Sequence, residues 1–211
     1  MIIIRIQDQI DIIIRDIISP FFKEKNFKKV GRNYFKLYDD FGFTFNIQSS
    51  QFNTKDSVRF TFNIGIFIPS AYRLNRGEDP PKRPKTIDCL NPLRIGFLKG
   101  IGDNWYEINE MTDISIIKQE IEQDLLSYVF PFYNKFNSVD NIIDISIESL
   151  KSGERIFHEM QLCTILISQG KRGKGEQLFI EYYNKRKKTK HSIENLVNYA
   201  DKLHININTQ K

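Results

Sequence analysis

Two stretches of the chain place an apolar residue at every second position, and this alternation constrains the fold more than any other feature. Phenylalanine and isoleucine occupy alternate positions in residues 41–47 and again in residues 60–68. A period of two is typical of strands in an antiparallel sheet that buries one face against helices. The polar residues between them are predicted to share the opposite, wetter face; they include Thr44, Asn46, Thr61 and Asn63, beside Arg59.

Apolar residues recur with helical spacing before and after these strands. The first stripe predicts an N-terminal helix that ends before Pro20; it consists of Ile3, Ile6, Ile10, Ile13 and Ile17. The second stripe follows Asp113, an N-cap residue, and Pro131 is expected to kink its helix near the end; it consists of Ile114, Ile117, Ile121, Leu125, Tyr128 and Phe132. We therefore predict an α+β fold in which an antiparallel sheet of four or five strands is packed by the N-terminal and central helices.

Shorter segments complete the predicted sheet. Residues 34–38 predict its first strand, and residues 94–98 predict a short fourth strand. The segment between the third and fourth strands, residues 75–91, contains three prolines and is predicted to be a loop.

Charge is distributed unevenly along the chain. Residues 1–150 carry 19 Lys and Arg against 20 Asp and Glu, whereas residues 151–211 carry 12 against 6. The basic excess therefore belongs to the C-terminal third. Helical spacing of apolar residues is found there as well, so we predict an α+β domain at residues 1–137 and a basic, all-α extension at residues 138–211.

Within the extension, Gly170, Gly175 and Phe179 are spaced as in the turn and second helix of a tetratricopeptide repeat. This part resembles a single helical hairpin of that kind, in which small residues let two helices approach closely. A lone hairpin cannot bury its own apolar face, so it is expected to dock on the sheet domain or on a partner.

A second resemblance covers about residues 5–136. It is carried by the runs Phe27-Lys28-Lys29 and Gly31-Arg32-Asn33-Tyr34, by residues 55–66 and 94–98, and by Trp105-Tyr106-Glu107-Ile108. In the order of its elements and in these sequence runs, this region resembles the bacterial domain-of-unknown-function family numbered 4304. The resemblance implies one compact α+β domain and a bacterial source. It implies no activity, cofactor or catalytic residue.

Catalytic and metal-binding patterns are sparse. The two cysteines, Cys89 and Cys163, are too few for a disulfide framework, which fits a reducing cytoplasm. Cys163 is expected in a helical core, and Cys89 lies near no histidine in sequence that would activate it. The paired acids at 39–40 and 78–79 lie in a turn and a loop. We therefore predict no catalytic residues, no metal site and no cofactor.

The C-terminal basic residues are the candidate binding residues, for a partner protein or for nucleic acid. They are Lys171, Arg172, Lys174, Lys185, Arg186, Lys187, Lys188 and Lys190. Two clusters of them lie at opposite ends of one predicted helix, about 20 Å apart, a span that would straddle phosphates. Cations at the end of a helix also favour its dipole, so a solvated surface explains them equally well.

These observations favour a non-catalytic intracellular protein that binds other proteins, of which an immunity or antitoxin-like role is one concrete version. The alternatives are nucleic-acid binding through the basic helices and a hydrolytic enzyme that uses a loop carboxylate or Cys89. No apolar run is long enough to span a membrane, so we expect a cytoplasmic protein with no membrane association. Homo-oligomerisation stays open.

Overall fold

The computed structural model describes residues 5–154, 156–189 and 193–207. Its helices are α1 (Ile6–Ile13), α2 (Ser19–Glu24), α3 (Pro69–Arg76), α4 (Ile95–Lys99), α5 (Ile114–Asp124), α6 (Phe130–Asn134), α7 (Val139–Ser152), α8 (Glu159–Ser168), α9 (Arg172–Lys188) and α10 (Glu194–Lys202). Its strands are β1 (Lys28–Val30), β2 (Asn33–Leu37), β3 (Gly42–Ser49), β4 (Ser57–Phe67), β5 (Leu93–Arg94) and β6 (Tyr106–Asn109). None of these helices is both long and apolar enough to cross a lipid bilayer.

The described chain divides into two compact units. The first holds the described residues up to Phe67 together with Pro81–Ser138, and we call it the sheet unit. The second holds Ile68–Pro80 together with the described residues from Val139 onward, and we call it the helical unit. The helical unit therefore includes α3, which comes from the middle of the sequence. The division into an α+β domain at residues 1–137 and a basic helical extension at residues 138–211 stays a prediction.

The sheet is antiparallel throughout, with the strand order β1-β2-β3-β4-β5 and with β6 also paired to β4. The predicted α+β class is confirmed. The sheet has six strands in the described residues, where the sequence predicted four or five. The extra strands are short, because β1 contributes only three residues at an edge and β5 only two.

An aromatic cluster forms the centre of the sheet unit. The Phe22 ring from α2 lies 4.4 Å from Phe45 and 4.7 Å from Tyr34, measured between ring centroids. Phe130 of α6 lies 5.2 Å from the same ring. The alternating phenylalanines of β3 and β4 therefore pack against both the N-terminal and the central helices, as the period of two predicted.

The prediction that the first helix ends before Pro20 is wrong, because the helix continues to Glu24. A π-helical turn at Ile14–Ile18 precedes the proline, and Ser19 N donates to Ile14 O five residues back. Proline cannot donate a backbone hydrogen bond, and its ring crowds the preceding turn. A wider turn relieves that crowding and lets α1 continue into α2.

The same arrangement recurs at Pro131. A π-helical turn at Leu125–Val129 joins α5 to α6, and Phe130 N donates to Leu125 O. Each wider turn shifts the buried face by one residue relative to a regular helix. Ile18 is therefore buried where Ile17 was predicted, and Val129 is buried where Tyr128 was predicted.

The predicted strand at residues 94–98 is largely wrong. Leu93 and Arg94 pair with β4, and the chain then turns into the short helix α4. Gly96 lies so close to the following loop that a Cβ there would sit 1.8 Å from Gly102 O. Gly100 ends the helix with φ 70°. This loop contact overrides the β-propensity of the segment.

The face of the sheet predicted to be wetter is largely covered. Thr44 is fully buried, and its Oγ1 lies 3.1 Å from Cys89 Sγ in a hydrogen bond. Thr61 is also fully buried and donates through Oγ1 to Asn104 O at 2.7 Å. The part of the chain from Cys89 to Asn104 therefore folds back over part of this face of the sheet.

Amide side chains occupy the part of that face that stays half-open. Asn63 Nδ2 donates to Asn46 Oδ1 at 3.2 Å and to Gln48 Oε1 at 2.8 Å. Asn46 Nδ2 in turn donates to Asn33 Oδ1 at 3.0 Å. The amides therefore form a hydrogen-bonded row across three strands. Arg59 lies at the exposed edge, 3.8 Å from Glu107.

The helical unit is built around α8, which contacts α3, α7 and α9. A left-handed Gly170, with φ 74°, lets the chain reverse between α8 and α9. Gly175 lets these two helices approach closely, since a Cβ there would lie 2.9 Å from Ile167 Cγ1. The sequence anticipated this role for Gly175. It did not anticipate α3 or α7.

Candidate functional site

Helix α9 carries apolar residues on two sides. On one side, Phe179 and Tyr183 are buried in a cluster with residues of α8 and α10, and the Phe179 ring lies 5.4 Å from Tyr199. On the other side, Leu178 stays only half-buried, and Tyr182 is half-buried although it also packs against that cluster. A helix with a second, partly uncovered apolar side has surface available for another contact.

That second side of α9 faces a groove. Two adjoining cavities of about 370 and 340 Å³ share Ile147, Leu178 and Glu181, so they form one depression. Helices α7 and α9 form its walls and α8 forms its floor. We call it the α7–α9 groove, and its apolar residues are Ile143, Ile147 and Leu150 of α7, Leu166 of α8, and Leu178 and Tyr182 of α9.

Charged side chains line the rim of the α7–α9 groove. At one end, Lys171 forms an ion pair with Asp140 of α7, and Lys174 lies near Asp144. At the other end, where α7 and α9 both finish, Lys151 and Lys185 line the groove together with Glu159, and Glu181 lines it one helical turn before Lys185. Since helix C-termini are partially negative, cations are stabilised at this end.

The predicted basic residues fall into three groups. Lys171, Lys174 and Lys185 line the groove. Arg172 points elsewhere, because it pairs with Glu176 at 2.9 Å and donates to Leu203 O at 3.2 Å. The cations Arg186, Lys187 and Lys188 follow at the end of α9, and none forms an ion pair within the described part of the chain. Lys190 lies outside the described residues.

The structure places Cys89 in a packed environment. Its side chain is buried beneath the sheet face, and burial raises the pKa of the thiol to about 12. The hydrogen bond to Thr44 lowers the pKa by less than burial raises it. A nucleophilic cysteine needs the thiolate, so this thiol is almost fully protonated at neutral pH. Burial likewise raises the pKa of Cys163 to about 12.

The loop carboxylates are engaged in local contacts. Asp79 lies 3.2 Å from the Arg73 guanidinium, and Glu78 accepts a hydrogen bond of 3.4 Å from Tyr72. Asp39 and Asp40 are exposed in the turn between β2 and β3. Among the described residues, no three His, Cys, Asp or Glu side chains converge as a metal site would require.

One buried ionic cluster was missed by the sequence reasoning. Asp124 Oδ2 accepts hydrogen bonds from Tyr106 Oη at 2.5 Å and from Lys99 Nζ at 2.8 Å. Burial raises the pKa of Tyr106, and the Asp124 charge raises it further. Burial is the largest single influence on Lys99 and lowers its pKa, but the hydrogen bonds and charges of Asp124 and Glu120 together outweigh burial, so the pKa is raised. The cluster ties α4, α5 and β6 together.

The α7 wall of the groove was also missed, and here the sequence does contain a signal. Ile143, Ile147 and Leu150 recur at spacings of four and three. This is the helical period, on a segment that follows directly after the predicted α+β domain.

The fold and this groove define an α+β protein with a second, helical unit. A model of the family described as Domain of unknown function (DUF4304) matches residues 18–135, more than half of the chain. The chain belongs to this family. The match ends before α7, so the groove lies outside it. Comparisons with curated proteins and with solved structures gave no match.

Proposed function

We propose that this protein is a binding module that holds a helical segment of another protein in the α7–α9 groove. The observation that carries the proposal is the partly uncovered apolar surface formed by Ile147, Leu178 and Tyr182. Each 100 Å² of apolar surface that a partner covers contributes about 2.5 kcal/mol before the costs of association. A partner that covers several of these side chains therefore gains several times this amount, against which the costs of association must be set.

The shape of the groove fits a helix. From Lys174 to Lys185 it extends about 16 Å along α9, which corresponds to about three turns. Helices that bind in grooves present apolar residues at i, i+3 or i+4, and i+7. Lys151 and Lys185 lie at one end, where Glu159 and Glu181 also line the groove. An acidic residue at the matching end of the partner segment is favoured where it lies directly beside one of the two lysines. The proposed occupant is therefore an amphipathic helix with an acidic end.

Selection from a displayed library of helical peptides of about four turns tests this proposal. The full chain is the bait, and Leu178→Glu is the variant that places a charge on the groove wall. We expect the enriched peptides to share an apolar stripe with acidic residues at one end. They should bind the wild-type chain at least about tenfold more tightly than the variant.

Leu126→Glu is the matched control, because it introduces the same charge at an exposed leucine of the sheet unit. Peptides that bind the wild type and this control equally, but not Leu178→Glu, support the proposal. Peptides that bind all three chains equally, or a library that yields no enriched sequence, contradict it.

A second candidate, nucleic-acid binding, is favoured by the four consecutive cations at residues 185–188. Within the described residues none of them forms an ion pair. The test is to measure the affinity for a fluorescein-labelled duplex of about 20 base pairs by fluorescence anisotropy, at salt concentrations between about 50 and 200 mM. The double variant Lys187→Glu with Lys188→Glu should make the affinity depend less steeply on salt concentration, because these lysines would contact phosphates. Affinity that is insensitive to salt, or unchanged in this variant, contradicts this candidate.

A further inference from the structure

A separate pocket in the sheet unit gathers positive charge. It has a volume of about 420 Å³ and is lined by four cations, Lys28, Lys36, Lys82 and Arg83. We call it the cationic pocket. The cations come from β1, from β2 and from the loop after α3, so distant segments of the chain converge on it. Among the residues that the structure describes, no acidic side chain lines the pocket.

These four cations form no ion pair with any described residue, whereas most other cations of the sheet unit do. Elsewhere in the unit, Arg32 pairs with Asp11 at 2.9 Å, and Arg94 with Asp103 at 2.5 Å. None of the cations lining the pocket forms an ion pair with any described residue; Lys36 lies over the Tyr38 ring at 5.3 Å. Like charges brought together repel, and a bound anion removes that repulsion.

The loop that supplies two of the cations is held in place before any ligand binds. Lys82 and Arg83 lie between Pro81 and Pro84, which restrict the backbone on both sides. Pro84 is buried, and the hydrogen bond between Cys89 and Thr44 anchors the loop a few residues later. A loop fixed in this way loses little entropy on binding, which favours affinity.

The remaining lining residues define the rest of the ligand. Phe35 and Leu37 give the pocket an apolar wall, and Leu37 is 42% exposed. Asn26 adds an amide next to the cations and is held in the left-handed region, with φ 62°, at the end of α2. The pocket volume lies in the usual range for small-molecule sites.

We propose that the cationic pocket binds a phosphorylated small molecule that carries at least two negative charges and an apolar or aromatic body. The phosphates lie among Lys28, Lys82 and Arg83, and the body packs on Phe35 and Leu37. The arginine offers a bidentate contact to phosphate, and the lysines supply point charges. This site is independent of the α7–α9 groove.

Isothermal titration calorimetry on the full chain at about 150 mM salt tests the proposal, with pyrophosphate and ADP as probes. The variant is Lys82→Glu with Arg83→Glu. The control is Lys55→Glu with Lys135→Glu, which changes the net charge equally at two exposed lysines of the sheet unit outside the pocket. All four positions are exposed, so thermal melts should show that both variants fold.

We expect one ADP to bind per chain, more tightly than pyrophosphate because the apolar wall holds its base. Affinity should fall at least about tenfold in the pocket variant and stay within about twofold in the control. Absence of binding to both probes overturns the proposal. Equal loss in both variants also overturns it, because net charge alone would then explain binding. Binding only to vesicles containing a phosphoinositide, or only to an RNA oligonucleotide, overturns the small-molecule assignment.

Discussion

The two units of the chain treat their apolar surfaces differently. The sheet unit packs helices on one face of its sheet, residues around Cys89 and Asn104 cover part of the other face, and exposed apolar side chains such as Phe52 and Met111 lie in its connecting segments. Even Thr44 and Thr61 are fully buried there. The helical unit instead leaves Ile147, Leu178 and Tyr182 only half-buried along the α7–α9 groove.

This difference separates two kinds of site. Contiguous apolar surface that stays uncovered within a unit is typical of a surface that binds another protein. In the sheet unit, a cavity of about 510 Å³ is lined mainly by polar side chains, including Asn46 and Asn63, and the cationic pocket brings unpaired cations together. The comparison therefore supports two separate proposals, protein binding by the helical unit and small-anion binding by the sheet unit.

The largest expected effect concerns the interior of the sheet unit. Asp124→Ala removes the buried partner of Lys99 and Tyr106, so the free energy of unfolding should fall by about 3–5 kcal/mol in a urea titration. Glu120→Ala is the control, because Glu120 is a more exposed partner of the same lysine at 3.3 Å. Its loss should stay below about 1 kcal/mol. Similar losses in both variants would show that the buried cluster does not hold this unit together.

The next effect concerns the close contact between α8 and α9. Gly175→Val should destabilise the helical unit by about 1–3 kcal/mol, because the added side chain meets Ile167 and Cys163 O. Gly173→Val, two residues earlier, has open space around it and should change the free energy of unfolding by less than about 0.5 kcal/mol. Thermal melts of the two variants give the comparison. Equal melting temperatures would mean that the helices do not meet at Gly175.

A pH effect follows from the buried thiol of the sheet unit. Folding raises the pKa of Cys89 from 9.0 to about 12, so its contribution to stability is fully present below pH 9 and is lost as pH rises toward 12. Between pH 8 and pH 10 the wild type should lose about 1 kcal/mol more stability than Cys89→Ala. Equal losses, or fast reaction of native Cys89 with a thiol reagent at pH 8, would contradict its burial.

The smallest effect concerns the rim of the groove. Lys185→Glu should weaken binding of a selected acidic-ended peptide by about threefold, because the charge is exposed and only partly effective. Lys187→Glu changes the same charge on the same helix at a position that does not line the groove. The affinity of this variant for the same peptide should be unchanged, as measured by the fluorescence anisotropy of the labelled peptide. Equal weakening would point to long-range charge and not to the groove rim.

Where the sequence follows a regular period, the predicted elements agree with the fold. Where the chain departs from a regular period, the predicted positions are wrong. The alternating residues of β3 and β4 identified the sheet because a strand repeats every two residues. The helix positions failed at Ile17 and Tyr128, because a π-helical turn before each proline shifts the buried face. Apolar residues spaced by four, such as Ile10, Ile14 and Ile18, were the available signal.

The candidate sites were less predictable than the fold. The clustering of basic residues predicted binding residues that include Lys171, Lys174 and Lys185. These three lysines lie on the rim of the groove, and their role in binding stays a prediction. The opposite wall of the groove is formed by α7, and the helical spacing of its apolar residues is visible in the sequence, although it did not lead to a predicted helix there. The cationic pocket left no local signal, because Lys28, Lys36 and Lys82 lie far apart in a segment of balanced charge.

Methyl NMR of the full chain, titrated with the best peptide from the library selection, tests the central claim most directly. We expect the largest shift changes at Ile147, Leu150 and Leu178, whose methyl groups line the α7–α9 groove. Exposed apolar residues of the sheet unit, such as Ile116 and Leu126, should be unchanged. Shift changes concentrated on those sheet-unit methyl groups, with the groove methyl groups unaffected, would contradict the assignment of the helical unit as the protein-binding part of the chain.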